Sequence, residues 1–462
     1  MRRAFILLFP LLAEPACASY SSRERVPIEA PRPWSMPRST PAKSDGATAF
    51  WGQFGSSELD ALLEFARTDS LDVAEAAARI DQAAAAVQAA KAPLLPSVEA
   101  VADIFVQSTN SRSLGSVSGT FVDAGIAAAY ELDFWGKNQA YLGAARAGLQ
   151  ASRYDRIAAS LTVAASVAVT YFQILGLRER IAITESSVTA AGQMLDLVES
   201  RARAGAALVR EAAQQRSLLA QEQAAVERLK RQESAARVAL SLILGRPVSW
   251  EALTADGLQS LHSPPVTRGI PPDLLSRRPD LARIEAQLAA CRANVDAARA
   301  AVLPRVRLTA SVGLQTAIVS TEATDTGLLY LATASVSQSI FDGGTAAAMR
   351  QRADAERREW LVKYKRAVLA ATAEVQKALQ DLSGIDQELA SLQIVADQAQ
   401  IASHLAETEY RAGAGELLAV LDTQRTLAQA NNALSETRLA RFLTLVGLFK
   451  AVGGGWNERS GS

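Results

Sequence analysis

Val306-Arg307-Leu308-Thr309-Ala310-Ser311-Val312-Gly313-Leu314-Gln315 sets an apolar residue at every even position and a polar, charged or small one at every odd position. A period of two is that of a β-strand whose two faces meet different surroundings. The stretch follows Pro304, and the residues leading to that proline, Ala297-Ala298-Arg299-Ala300-Ala301-Val302-Leu303-Pro304, have a counterpart in Ala89-Ala90-Lys91-Ala92-Pro93-Leu94-Leu95-Pro96. After Pro96 the alternation returns, with Val98, Ala100, Ala102, Ile104 and Val106 on one side and Ser97, Glu99, Asp103 and Gln107 on the other. Each of these segments is followed by a polar stretch and a second alternating segment. These are Phe121 to Asp133 in the first case, beyond the Ser-, Gly- and Thr-rich residues 108–120, and Tyr330 to Ile340 in the second. Two strand-loop-strand hairpins, with strands of about ten residues, are therefore expected.

The two hairpins belong to a duplication of the whole chain. Asp72 and Asp280, Pro96 and Pro304, Gly136 and Gly344, Gly205 and Gly413, and Gly245 and Gly453 are each 208 positions apart (304 less 96). That period is too long for a solenoid repeat, so the halves are two complete structural units. The sixteen prolines fall in the first 41 residues, at Pro93, Pro96 and Pro304, and between Pro247 and Pro279. Proline costs about 3 kcal/mol inside a helix, and its absence elsewhere permits very long ones. Residues 137–203 and 345–411 read as two such helices, each ending near a glycine, Gly205 or Gly413, suited to a left-handed turn. Each is followed by a second helical stretch. Upstream, Val73, Ala77, Ile80, Ala84 and Val87 mark a helix packed on one face. Helices so thin cannot bury a core alone and must associate side by side.

Arg2 and Arg3 followed by the apolar run Ala4 to Ala13 read as an export signal. Two maturation routes stay open: lipidation at Cys17, or cleavage after Ala16-Cys17-Ala18, which removes that cysteine. Cys291 then has no partner in the mature chain and reads as a small buried apolar residue. No later run of 18 or more apolar residues suits a membrane-spanning helix, so insertion would use strands. A soluble half-buried sheet shows the same alternation. Four strands of membrane-spanning length on an exported chain favour the bilayer, with apolar side chains toward lipid and polar ones inward. Four strands cannot close a barrel, since the smallest known has about eight, and open edges in lipid leave backbone groups unpaired. Several chains must share one barrel.

These residues resemble a known family, the TolC-type outer-membrane efflux channels, in particular the OprM-like or NodT outer-membrane factors of resistance-nodulation-division pumps. Five motifs carry the resemblance in order: Trp51-Gly52-Gln53-Phe54, Tyr130-Glu131-Leu132-Asp133-Phe134-Trp135-Gly136, Arg277-Arg278-Pro279-Asp280-Leu281, Ile340-Phe341-Asp342-Gly343-Gly344, and Leu448-Phe449-Lys450-Ala451-Val452-Gly453-Gly454-Gly455-Trp456. The resemblance implies a mainly α chain with transmembrane β, its four strands and long helical hairpins assembling as a homotrimer. In that assembly a 12-stranded β-barrel in outer-membrane lipid continues into a periplasmic α-barrel. It further implies a periplasmic membrane-fusion adaptor and an inner-membrane resistance-nodulation-division transporter as partners, and a passive exit duct as the function. We expect the export signal at 1–18, an extended arm at 19–50, repeats at 51–246 and 279–456 joined by a linker at 247–278, and a tail at 457–462.

No catalytic, cofactor or metal site is expected, for the chain has only two histidines, His262 and His404, and they lie in different contexts. A formal net charge of zero and a pI near 6.8 give no basis for nucleic-acid binding. The resemblance instead places function at the helical tips. Tyr410 and Glu211 match a gate hydrogen bond, Asp422 matches a carboxylate at the constriction, and Gly205 and Gly413 match the tips where an adaptor docks. A second carboxylate that some relatives carry is Ala419 here. Inside the barrel, Glu99, Asp103, Arg307, Thr309 and Ser335 are expected to wet the lumen. The reading that competes from another class is a structural periplasmic coiled-coil or adaptor protein with a soluble sheet.

Overall fold

The computed structural model describes residues 50–111, 115–247, 253–264, 277–320 and 323–454. The chain divides into two compact units, Met1–Met36 and Pro37–Ser462, and every described residue lies in the second. The export signal, nearly all of the arm, Cys17 and the tail fall outside the described residues.

Helices α1 (Ser57–Asp69) and α2 (Leu71–Lys91) lead into strands β1 (Ser97–Ser111) and β2 (Gly115–Leu132), followed by α3 (Lys137–Arg203) and α4 (Val209–Leu244). The second half repeats the order with α5 (Pro279–Ala300), β3 (Arg305–Ser320), β4 (Ala323–Ser337), α6 (Thr345–Ala412) and α7 (Leu417–Ala451). The long helices α3 and α6 have 67 and 68 residues, about 100 Å each at the usual rise.

The four strands form one antiparallel sheet in the order β1-β2-β3-β4. Register gathers the alternating residues of all four onto common faces. One row runs Ala100, Ile126, Val312, Tyr330, the next Ala102, Ala124, Leu314, Leu328. In β3 this apolar row is the more exposed, with Leu314 at 56%, as expected of a lipid-facing surface. The opposite face carries Asp103, Asp123 and Gln315 in one row. The duplication is kept to the residue: Ser97 opposes Ala129 and Arg305 opposes Ser337, each member shifted by the same offset.

Two expectations change. The strands are 15 to 18 residues long rather than about ten. Much of 108–120, read as loop, continues the ladder, with Ser108 opposite Ser118 and Gln107 opposite Gly119. Ladder bonds use the backbone alone, so Ser, Thr and Gly extend the pairing past the apolar part that the alternation marks. Secondly, α3 contains a stretch long and apolar enough to cross a membrane, although no unbroken apolar run announces it. Its side chains Val167, Tyr171, Phe172 and Leu175 are fully buried in the protein core, so it is a core helix.

That core joins sequence motifs from the two ends of the chain. Phe50 stacks on Phe449 at 3.9 Å, Trp51 meets Phe449 edge-on at 4.9 Å, and Phe54 and Phe442 both pack on Phe172 at 5.1 Å. Arg278 is buried and donates to Asp280 at 2.8 Å, Glu374 at 2.7 Å and the Ala451 carbonyl at 3.1 Å. Beside it Gly453 (φ +88°) approaches Arg277 so closely that an added Cβ would sit 2.1 Å from the carbonyl oxygen. Its counterpart Gly245 (φ +71°) meets the Asp69 carbonyl in the same way, at 2.8 Å. The same contact occurs once in each repeat.

Candidate functional site

Each long helix turns back at a glycine. Gly205 and Gly413 hold φ of +74° and +81°, a region that costs other residues about 1–2 kcal/mol. These turns bring the ends of α3 and α6 beside the starts of α4 and α7. There Met194, Val198, Ala212, Leu218, Ala406, Leu417, Val420 and Leu421 form a small apolar cluster around Tyr410. Only 4% of Tyr410 is exposed, and its hydroxyl reaches Glu211 Oε2 at 3.5 Å, the outer limit of a hydrogen bond. Tyr410 and Glu211, expected together, are thus in contact.

The shorter contacts to Tyr410 come from Arg201, which sequence reading did not single out. Its Nη1 donates to the Tyr410 carbonyl at 2.8 Å, and its guanidinium lies 4.8 Å from the ring centroid, within cation-π range. Burial pushes the Tyr410 phenol above its ordinary pKa against the opposing effect of Arg201. The hydroxyl therefore stays protonated at physiological pH and remains a donor. The only sequence signal at Arg201 is a break in the duplication, since the corresponding residue is Glu409. Asp422 follows buried Leu421 but is itself exposed, outside the Tyr410 cluster. The tip contacts join Tyr410, Glu211 and Arg201, and Asp422 is not among them.

On the sheet, Glu99, Asp103, Arg307, Thr309 and Ser335 share one face, as the pairings of Glu99 with Ala127, Arg307 with Ser335 and Thr309 with Thr333 show. Arg307 also opposes Glu131, and Asp103 opposes Asp123. At the exits from the sheet the motifs act as helix caps. Asp133 accepts from the backbone N–H of Asn138 and Gln139 at 3.0 and 2.8 Å, and Asp342 from Gly344 and Ala346 at 2.9 and 2.7 Å. Those N–H groups hold the Asp342 carboxyl below its ordinary pKa. Trp135 Nε1 donates to the Pro304 carbonyl at 2.7 Å, tying the first sheet-helix corner to the start of β3. Among the described residues no His, Cys, Asp and Glu cluster suited to a metal occurs.

A sheet with an apolar outer row and unpaired edges, extended by long helical hairpins, suits a membrane duct that several chains complete. The chain belongs to the outer membrane efflux protein family, whose pattern matches residues 62–246 and again 270–454, two matches offset by the same 208 positions. It is 38% identical over 463 residues to the pyoverdine export outer membrane protein OpmQ of Pseudomonas putida, covering 98% of each chain. Its fold matches the outer-membrane channel OprN with a TM-score of 0.79 at 26% identity, covering 92% of this chain and 98% of that one. It also matches the open-state MtrE outer-membrane channel of Neisseria gonorrhoeae, with a TM-score of 0.75 at 27% identity and coverage of 86% and 89%. The protein is thus an outer-membrane efflux channel that extends into the periplasm, a duct rather than an enzyme. Its fold is that of trimers with a β-barrel continued by an α-barrel, and it works within a tripartite efflux system.

Proposed function

We propose that the helical tips form an iris at the periplasmic end of this duct, held shut through Tyr410 and Glu211 and narrowed by Asp422. The observation that carries the reading is the buried Tyr410 reaching Glu211 from a different hairpin. Separating the hairpins breaks that contact and the Arg201 contact together, at a cost within what a docking partner can supply, since a hydrogen bond to a charged group contributes about 1.5–3 kcal/mol. Three symmetry copies of an exposed Asp422 in a narrow pore concentrate negative potential and attract cations. Gly205 and Gly413 shape the turns that the adaptor engages, and the carboxylates, Arg307, Thr309 and Ser335 keep the barrel lumen wet. Single-channel conductance of Tyr410→Phe and Asp422→Ala tests the gate. Unchanged conductance and unchanged cation block in both variants would rule it out.

The finer identity of the system belongs to the same proposal. The transporter beneath the adaptor is of the resistance-nodulation-division class, and co-purification with the tagged chain tests that. The relative at 38% identity is named for pyoverdine export, which puts chelating siderophores of that kind first among the cargoes. Cells lacking this chain should then release less siderophore while synthesising it normally. Equal release with and without the chain counts against that cargo.

A further inference from the structure

The internal duplication makes one surface of this chain readable from another. Inside the chain, α3 of the first repeat receives α5 and α7 of the second, while among the described residues the corresponding face of α6 has no such cover. We propose that this face of α6 receives α2 and α4 of a partner subunit in the same arrangement, through ion pairs whose signs are reversed. The proposal rests on the trimeric ring, in which six repeats alternate about one axis, and deepens it by assigning the side chains that join one chain to the next.

The assignment follows from adding the 208-residue offset to the first member of each internal contact and subtracting it from the second. Three ion pairs cross the internal seam among the described residues. Asp155 with Arg283, 3.7 Å apart, becomes Lys363 with the partner's Glu75. Arg180 with Glu436, at 2.9 Å, becomes Glu388 with the partner's Arg228. In both, each charge has changed sign and the pair is still opposite. Glu179 with Arg438, at 2.5 Å, becomes Gln387 with the partner's Lys230, an amide facing an ammonium. No pair becomes like-charged, and all six derived positions are exposed in the single chain. Within the chain Lys230 pairs with Glu185 at 2.9 Å and Glu388 accepts from Thr437 at 3.4 Å, while Glu75 and Lys363 pair along their own helices with Arg79 and Glu359. Such exposed i,i+4 contacts are weak and leave both groups able to face a second partner.

A glycine supports the same register. At Gly176 an added Cβ would lie 3.0 Å from Leu439 across the internal seam. Its counterpart Gly384 sits inside α6 with nothing within 4 Å of that position, a place where glycine weakens the helix without any visible return. Leu439 corresponds to Arg231, which is exposed, so Gly384 makes room for the partner's Arg231. The two seams differ in cement. The Phe172 and Phe442 contact of the internal seam corresponds to Gln380 and the partner's Ser234, so the seam between chains relies more on charge.

Cross-linking tests the assignment in the full-length chain, with Cys291→Ala removing the one free buried thiol of the described residues. Purified Glu388→Cys, Arg228→Cys protein treated with a short bis-maleimide should yield a covalent trimer on a denaturing gel, whereas either cysteine alone should not. The internal pair Asp155→Cys, Arg283→Cys should link within one chain and run as a monomer. A wild-type trimer of native size whose Glu388→Cys, Arg228→Cys variant links only within a chain, or not at all, overturns the seam while the trimer stands. A wild-type chain that is monomeric in mild detergent removes the ring itself, and the seam with it. Charge exchange supplies the second reading. Glu75→Lys should raise the trimer dissociation constant on the order of tenfold, because three seams each gain a like-charged contact. Adding Lys363→Glu to the same chain should restore it, and failure of that restoration refutes the pairing.

Discussion

The aromatic girdle and the helical tip hold the same two repeats together by different means. At the girdle, Phe50, Trp51 and Phe54, just ahead of α1, meet Phe172 on α3 and Phe442 and Phe449 on α7, and all of these rings but the partly buried Phe50 are buried. At the tip, a few small apolar side chains surround one tyrosine, and its ties are a 3.5 Å hydroxyl contact and an arginine. Apolar burial is large and non-directional, whereas single polar ties are modest and break over a short displacement. Of the two, the girdle is therefore the harder to separate, and the tip is held by the weaker ties.

The largest effect should come from breaking the girdle. Phe449→Ala removes a ring that contacts both Phe50 and Trp51, and large-to-small changes of this kind cost about 3–5 kcal/mol. Denaturant unfolding of the detergent-solubilised protein should show that loss. A change below 1 kcal/mol would mean that the N-terminal segment is not docked there in solution. Somewhat smaller and pH-dependent is the effect at Arg278. Burial raises the Asp280 pKa, but hydrogen bonds and charge from Arg278 outweigh it and hold the carboxyl below its ordinary value. A carboxyl lowered on folding stabilises the protein above its unfolded pKa of about 3.9, and the contribution fades as pH falls through the folded value. Arg278→Ala should therefore destabilise at neutral pH, by about 1–2 kcal/mol, because Asp280 and Glu374 are 41% and 53% exposed and solvent screens their charge. The gap to wild type should narrow below about pH 4. A gap independent of pH would assign the loss to packing alone.

Why the strands, the long helices and the duplication were legible while the tip was only partly so follows from their chemistry. Alternation in Val306 to Gln315 repeats along a whole strand, and proline-free spacing repeats along a whole helix, so tertiary contacts need not be known to read them. The glycines at 205, 245, 413 and 453 stand out because positive φ or a close carbonyl leaves no room for a Cβ. Strand ends were misjudged because Ser, Thr and Gly pair through backbone groups that leave no hydropathy trace. Tyr410 and Glu211 could be brought forward only through a family resemblance, and Arg201 not at all. Its role depends on two helices meeting 209 residues apart in sequence, and one arginine among many carries no periodic mark.

The smallest effects on stability should come from the tip, and there the ranking of two variants sharpens the contrast. Tyr410→Phe keeps the buried ring and loses only a contact at the limit of hydrogen-bond length, so stability should fall by no more than about 0.5 kcal/mol. Arg201→Ala loses both the 2.8 Å bond to the Tyr410 carbonyl and the guanidinium over the ring, about 1–2 kcal/mol together. If the gate is set by these ties, open probability in planar bilayers should rise in both variants and rise further in Arg201→Ala, because the population of the released state scales with the free energy removed. The phenol is neutral throughout the physiological range, so the increase should not depend on pH between about 6 and 8. An Arg201→Ala channel that conducts no more than Tyr410→Phe would show that the hydroxyl contact, despite its length, governs closure. The guanidinium would then be packing for the tip rather than part of its latch.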